Sequence, residues 1–158
     1  MHVVIAAAIV LATIAAMEYV AMAVHRHVMH GWGWGWHRSH HQKRRRGLEK
    51  NDLYAVVFAM PALLLTAAAS PAGPAYWCGI GVALYGLLYA IVHDGLVHRR
   101  LPVHLQVRHR YVRRLVQAHR LHHAVRSRDG CVSFGFLYAP PLPVLRKRLR
   151  ERMKKAER

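Results

Sequence analysis

The amino-acid sequence predicts an all-α integral membrane protein with three transmembrane helices, or four if part of residues 101–128 enters the bilayer. Two observations carry this. First, 24 Lys and Arg against 7 Asp and Glu give a formal net charge of +17, yet 54% of the 158 residues are hydrophobic. The two figures coexist because charge and apolarity are segregated. Residues 1–25 and 53–97 contain no Lys or Arg, while seven lie in 26–50 and seventeen in 99–158. Second, the apolar runs within the stretches free of Lys and Arg approach or reach the length a bilayer requires. This pattern excludes an ordinary soluble domain, a disordered tail and a histone-like nucleic-acid binder.

The first predicted span runs from Val3 to Val24, interrupted only by Glu18, and would measure about 33 Å as a helix. The second and third, residues 53–69 and 76–92, are close to the lower length limit. Ser70-Pro71-Ala72-Gly73-Pro74 between them reads as a turn. Pro61 predicts a kink rather than a break, since neighbouring helices can re-satisfy the freed carbonyl. The first span lacks the basic start and short apolar run of a signal peptide and is expected to be retained. The positive-inside rule then puts the N-terminus outside, and both basic blocks and the C-terminus in the cytoplasm, with the chain in the cytoplasmic (inner) membrane. The whole chain reads as one membrane-embedded domain, with His-bearing segments at 25–50 and 93–128 and a basic tail at 146–158.

Cys78 and Cys131 form no CxxC, so neither a disulfide framework nor a thiolate metal site is expected. Histidine is the unusual residue: there are fourteen, and ten fall into four clusters. His25 and His30 form an HxxxxH, followed by His37, His40 and His41 as an HxxHH. His93 and His98 repeat the first pattern, and His119, His122 and His123 the second. Each pair of motifs follows an apolar span. His2, His27, His104 and His109 lie outside the pattern and read as solvated residues.

On an α-helix, positions i, i+3 and i+4 share a face, so each HxxHH can present three imidazoles to one cavity. Five residues rotate a side chain by roughly 140°, so each HxxxxH needs a helix end or a distortion to converge. Gly31 and Gly95 are placed to allow one. Ten imidazoles exceed the four to six ligands of one transition metal, which makes two metals the economical solution. Nitrogen donors exclude Ca²⁺ and Mg²⁺ and suit Zn, Fe, Cu or Ni. A structural zinc needs only four ligands, so ten point to a redox pair with a position open for O₂.

The run HRHVMHGWGWGWHRSHH at 25–41, with HDGLVHRR, AHRLHHAV, RDGCVSFGFLYAPP and NDLYAVVFA, closely resembles the bacterial β-carotene hydroxylases. These belong to the fatty acid hydroxylase superfamily of membrane di-iron oxygenases. The resemblance covers about Met17 to Leu142, and all four histidine motifs match. It implies that His25, His30, His37, His40, His41, His93, His98, His119, His122 and His123 bind two iron ions, which zinc can replace during purification. It further implies 3-hydroxylation of the β-ionone rings of β-carotene to cryptoxanthin and zeaxanthin, with O₂ as co-substrate and electrons from a ferredoxin-type donor. No catalytic residue beyond the metal ligands is demanded, because the cofactor performs the hard chemistry.

Around the ligands, Asp94 and Asp129 are candidates to accept the far N–H of a histidine, the alternative being loop carboxylates that balance arginines. Glu18, seven residues before His25 on nearly the same helical face, is a candidate for the same role or for a polar cavity. Trp32, Trp34 and Trp36 read as interfacial anchors. Residues 101–128 read as an interfacial helix whose Tyr111, Leu115, Ala118 and His122 share a stripe and whose arginines meet anionic lipid headgroups. Headgroups are also the expected partner of the tail, with an acidic ferredoxin as the alternative; nucleic acid is not expected. Ser133–Pro143, broken by prolines, is a candidate wall or lid for the carotenoid. A lipid or sterol hydroxylase or desaturase is the rival within the superfamily. A metal transporter would place its ligands near the midplane, and a bis-His haem would leave eight histidines unexplained.

Overall fold

The computed structural model describes residues 2–42, 47–101 and 106–156. Among them every regular element is helical: α1 (Val3–Val24), a π-helical turn π1 (His25–Trp32), α2 (Trp34–His41), α3 (Asp52–Ala68), α4 (Pro74–Tyr89), π2 (Ala90–Val97), α5 (Arg110–His122) and α6 (Leu142–Ala156). The three apolar runs become α1, α3 and α4. Helix α3 runs through Pro61 without interruption. Because α1 continues into π1 and α4 into π2, two apolar rods of 30 and 24 residues result, each long enough to cross a membrane; α3, at 17 residues, is shorter.

Helix α4 packs between α1 and α3, and two of its glycines make this possible. A β-carbon on Gly79 would stand 2.9 Å from Leu65 Cβ and Thr66 Cγ2 of α3. One on Gly81 would stand 2.6 Å from Thr13 Cβ of α1. Two residues apart on a helix means nearly opposite sides, so the pair lets α4 approach a neighbour on each side closely enough for backbone packing. The outward faces remain apolar: Val4 and Leu11 of α1, Leu63 and Leu64 of α3 and Leu87 of α4 are each more than half exposed. So large a continuous apolar surface suits hydrocarbon rather than water, in keeping with membrane association.

At the other end of the bundle, Leu115 and Ala118 of α5 pack with Val132, Ala139, and Leu145 and Leu149 of α6. The expected α5 stripe is present, except that Tyr111 at its start is largely exposed and donates its hydroxyl to the Leu137 carbonyl. The basic tail, generic in sequence, is a helix because Leu145 and Leu149 share one face four residues apart. Pro143 is tolerated in its first turn, where no intrahelical N–H is needed.

Replacing Gly81 by Leu is expected to force α1 from α4. The yield of folded, membrane-extracted protein should fall steeply. Gly86→Leu, at a position where a β-carbon would meet nothing within 4 Å, should leave it near the parent level. Size-exclusion profiles of the two variants make the comparison.

Candidate metal centre

His25 and His30 lie on π1, and His93 lies on π2 with His98 capping its end. In a π turn the backbone bonds from i to i+5, so residues five apart stand above one another. The bonds Gly33 N–H to Val28 O at 2.9 Å and His98 N–H to His93 O at 2.9 Å have this spacing. The distortion the spacing calls for is therefore a whole π turn. Gly31 adds a kink at the end of the first (φ −109°, ψ −125°). Gly95 contributes close packing instead, since a β-carbon there would stand 3.3 Å from Leu101. Tyr54 of α3 donates to Gly33 O at 2.9 Å and ties down the corner before α2.

The ten clustered histidines converge and divide into two groups of five, each with potential ligand atoms within 4.8 Å of one another. Group A holds His25, His30, His37, His41 and His122; group B holds His40, His93, His98, His119 and His123. Each HxxHH is thus split: positions i and i+4 serve one group and i+3 the other. The first motif pair supplies four members of A and one of B, and the second pair does the reverse, a pseudo-twofold exchange that follows the duplication. His2, His27 and His109 are exposed, as expected, and His104 lies outside the described residues.

The donor chemistry fits metal ions. In group A every Nδ1 faces an oxygen: His25 donates to Phe134 O (2.9 Å), His30 to Arg128 O (2.7 Å), His37 to Asn51 Oδ1 (2.7 Å), His41 to Val125 O (2.9 Å) and His122 to Val132 O (3.2 Å). Carbonyl oxygens only accept, so the proton sits on Nδ1 and Nε2 carries a bare lone pair. Yet these Nε2 atoms approach one another: His25 and His37 at 3.2 Å, His30 and His122 at 3.1 Å, His41 and His122 at 3.1 Å. Two lone pairs at that distance repel unless a cation lies between them. Donors about 2.1 Å from one ion and at right angles to each other stand about 3.0 Å apart. In group B, His40 and His93 meet through Nε2 at 2.9 Å, as do His119 and His123.

The cradle of carbonyls is built by a loop. Ser133 holds a left-handed backbone (φ 62°), unusual for a residue with a side chain, and the carbonyls on either side of it, Val132 and Phe134, serve His122 and His25. The loop is anchored by Glu18. One carboxylate oxygen accepts from the backbone N–H of Phe136 (2.9 Å), Leu137 (3.0 Å) and Tyr138 (2.9 Å), and the other from Tyr85 Oη at 2.8 Å. Glu18 therefore holds the loop that orients a ligand, rather than a ligand itself. Bonds of this charge-assisted kind contribute about 1.5–3 kcal/mol each and offset the several kcal/mol of burying a carboxylate.

Asp94 does accept from a candidate ligand, His93 Nδ1 at 2.9 Å. It is steadied by Arg100, 3.5 Å away, which also makes two 2.6 Å bonds to Asp52. Asp129 is 85% exposed and faces Arg128, so the loop-carboxylate alternative describes it. Glu49, which accepts from His40 Nδ1 at 3.2 Å, and Asn51 complete the set. Neither stands out in the sequence, because their role arises only when the 47–52 turn folds back over α2. Among the tryptophans, Trp32 is 86% exposed and suits an anchor, whereas Trp34 packs on His30 and His41 at 5.3 and 5.4 Å.

Two cavities border the centre. One is an apolar cavity of about 380 Å³ between α1, α3 and α4, lined by Met17, Ala21, Phe58, Ala59, Ala62, Val82, Gly86 and others. Its inner end is closed by Tyr89, stacked on His93 at 4.4 Å, and Phe136, stacked on His25 at 5.2 Å. The other is a polar pocket of about 220 Å³ lined by His40, His41, Gln42, Glu49, His98, His123 and Arg126.

A family model described as "Fatty acid hydroxylase" matches residues 10–139. A β-carotene hydroxylase of Pantoea ananas is 56% identical over 147 residues, covering 92% of this chain and 84% of that protein. One of Pseudescherichia vulneris is 54% identical (91% and 82% covered), and one of Paracoccus sp. (strain PC1) is 54% identical (90% and 89% covered). No solved structure matches this chain.

Burial dominates the protonation of the histidines. It pushes His37 down from 6.5 to about 3 and His41 to about 4, and holds His40, His119, His122 and His123 below the ordinary range, with crowding by other histidines adding to the last four. All are neutral at pH 7, the form that can bind a metal. In the unfolded chain they take up protons below about pH 6.5 while the folded chain does not. Stability is therefore full above that pH and falls as pH drops towards 4, because each such histidine binds a proton in the unfolded chain and not in the fold. The midpoint of thermal unfolding in detergent is expected to be flat between pH 8 and 7 and to drop between 6.5 and 5. A midpoint unchanged at pH 5 would show these rings to be solvated.

Proposed function

This chain belongs to the fatty acid hydroxylase family, and we propose that it hydroxylates the β-ionone rings of β-carotene at carbon 3, giving cryptoxanthin and then zeaxanthin. The observation that carries this reading is the apolar cavity that ends on the histidine centre. A hydrocarbon ring with no polar group to grip calls for an apolar slot closed by aromatic faces, and the cavity offers that with hardly any polar lining. Its volume lies in the range of small-molecule pockets, enough for a terminal ring while the polyene extends along the helices.

The overall reaction consumes O₂, two electrons and two protons, and yields the alcohol and water. Two iron ions, held by groups A and B, supply the O₂ activation and the oxidising power when bound; zinc, which ranks above iron(II) in affinity, can displace them in purified protein. The chain's own residues hold and position. The Nδ1 partners fix each ring's tautomer and aim, Tyr89 and Phe136 separate the centre from the hydrocarbon slot, and Ala59, Ala62 and Gly86 leave the slot open. Electrons come from a ferredoxin-type donor, for which the basic side of the protein is a suitable face.

In this reading α1, α3 and α4 all cross the cytoplasmic membrane. Helix α3, about 26 Å long, is the shortest crossing. All 24 Lys and Arg lie in residues 26–50 and 99–158, so the N-terminus is outside and the histidines and C-terminus are cytoplasmic, with arginines of α5 and α6 at anionic headgroups.

Expression in cells that accumulate β-carotene, followed by chromatography of the pigments, tests the reaction. The chain should yield hydroxylated product. His40→Ala and His122→Ala should abolish it with the protein still in the membrane, and His109→Ala should retain it. Unchanged β-carotene with an iron-loaded protein would move the assignment to another lipid substrate. Ala62→Trp, which fills the slot without touching a histidine, should lower turnover about tenfold or more at unchanged metal content.

A further inference from the structure

The two histidine groups are not equivalent. All five group A rings donate Nδ1–H to uncharged oxygens, four backbone carbonyls and the Asn51 amide. In group B, His40 and His93 donate to carboxylates, Glu49 at 3.2 Å and Asp94 at 2.9 Å. The carboxylates stay close to the site: Glu49 is 12% exposed, and Asp94 is 25% exposed and held by Arg100, itself locked on Asp52. Near group A in the chain, Asp129 is 85% exposed and faces Arg128, and Glu18 is taken up by three backbone N–H groups and the Tyr85 hydroxyl.

A carboxylate behind a metal-bound imidazole pulls on the N–H, raises the basicity of the ring's other nitrogen and adds negative charge near the ion; a carbonyl does so far less. The asymmetry arises from the exchange between motifs. His40 alone of the first motif pair enters group B, and it brings Glu49 with it.

We propose that group B is the tighter of the two metal sites, filled first and retained last, and that Glu49 and Asp94 are positioning residues that make it so. The inference rests on the reading of the ten histidines as a two-ion centre.

The test is a metal titration that does not depend on turnover. The full chain in nanodiscs, stripped with a chelator, is titrated with Co²⁺ against a chromophoric competitor, with visible absorption counting the ions. The parent is expected to bind two Co²⁺ in resolved steps. Glu49→Gln and Asp94→Asn should each weaken the first step by roughly 10–100-fold and spare the second, the usual cost of losing such a partner. Asn51→Asp places a carboxylate behind His37 in group A and should tighten the second step, narrowing the gap; misfolding cannot produce such a gain. Two ions bound with one affinity, equal weakening of both steps, or a second step unmoved by Asn51→Asp would overturn the inference and leave the two-ion reading standing. A parent that binds fewer than two ions would overturn that reading itself, and the inference with it.

Discussion

Five imidazoles pointing their Nε2 lone pairs at one another is an arrangement that a protein must hold by force. Each ring in group A is held from behind by an oxygen that accepts a hydrogen bond from its Nδ1–H, and the Nε2 atoms then meet at 3.1–3.2 Å. Cations between those atoms would convert the repulsion into binding. Much of the rest of the molecule serves this: π turns bring residues five apart into line, a left-handed Ser133 turns two carbonyls inward, and the 47–52 turn presents Glu49 and Asn51.

The buried carboxylate of Glu18 belongs to the same scheme. Glu18 gathers three successive backbone N–H groups and the Tyr85 hydroxyl. It thereby joins α1, α4 and the loop that carries Phe134 and Phe136. That loop touches the histidines on one side and the apolar cavity on the other, so one buried charge couples the shape of the slot to the orientation of His25. The two cavities beside the centre differ in the same sense. One is lined almost wholly by apolar side chains, while the other is polar and lies beside Glu49 and Arg126.

How far the fold and centre could be read from the chain follows from what each signal depends on. Segregated charge and three apolar runs need no tertiary information, and α1, α3 and α4 fall within a few residues of the expected bounds. The ten ligand candidates were legible because a duplicated spacing is itself a pattern, and the HxxxxH spacing already required a distorted helix. The membership of the two groups was not legible. On a helix, His37, His40 and His41 share a face, and only the position of the partner helices decides that His40 turns to His93 while His37 and His41 turn to His25 and His122. Asn51 and Glu49 gave no signal, since a lone polar residue in a turn has many uses.

By itself, the sequence determined the helical class, the apolar elements, the family resemblance and the identity of the histidines, all of which depend on local composition and spacing. The tertiary structure decided the pairing of histidines into two unlike groups, the use of Glu18 as a loop anchor and the cavity. The physical reason is that each of these is a contact between residues distant in the chain, from Glu18 with Phe136 to Arg100 with Asp52, and such a contact leaves no periodicity for a sequence to display.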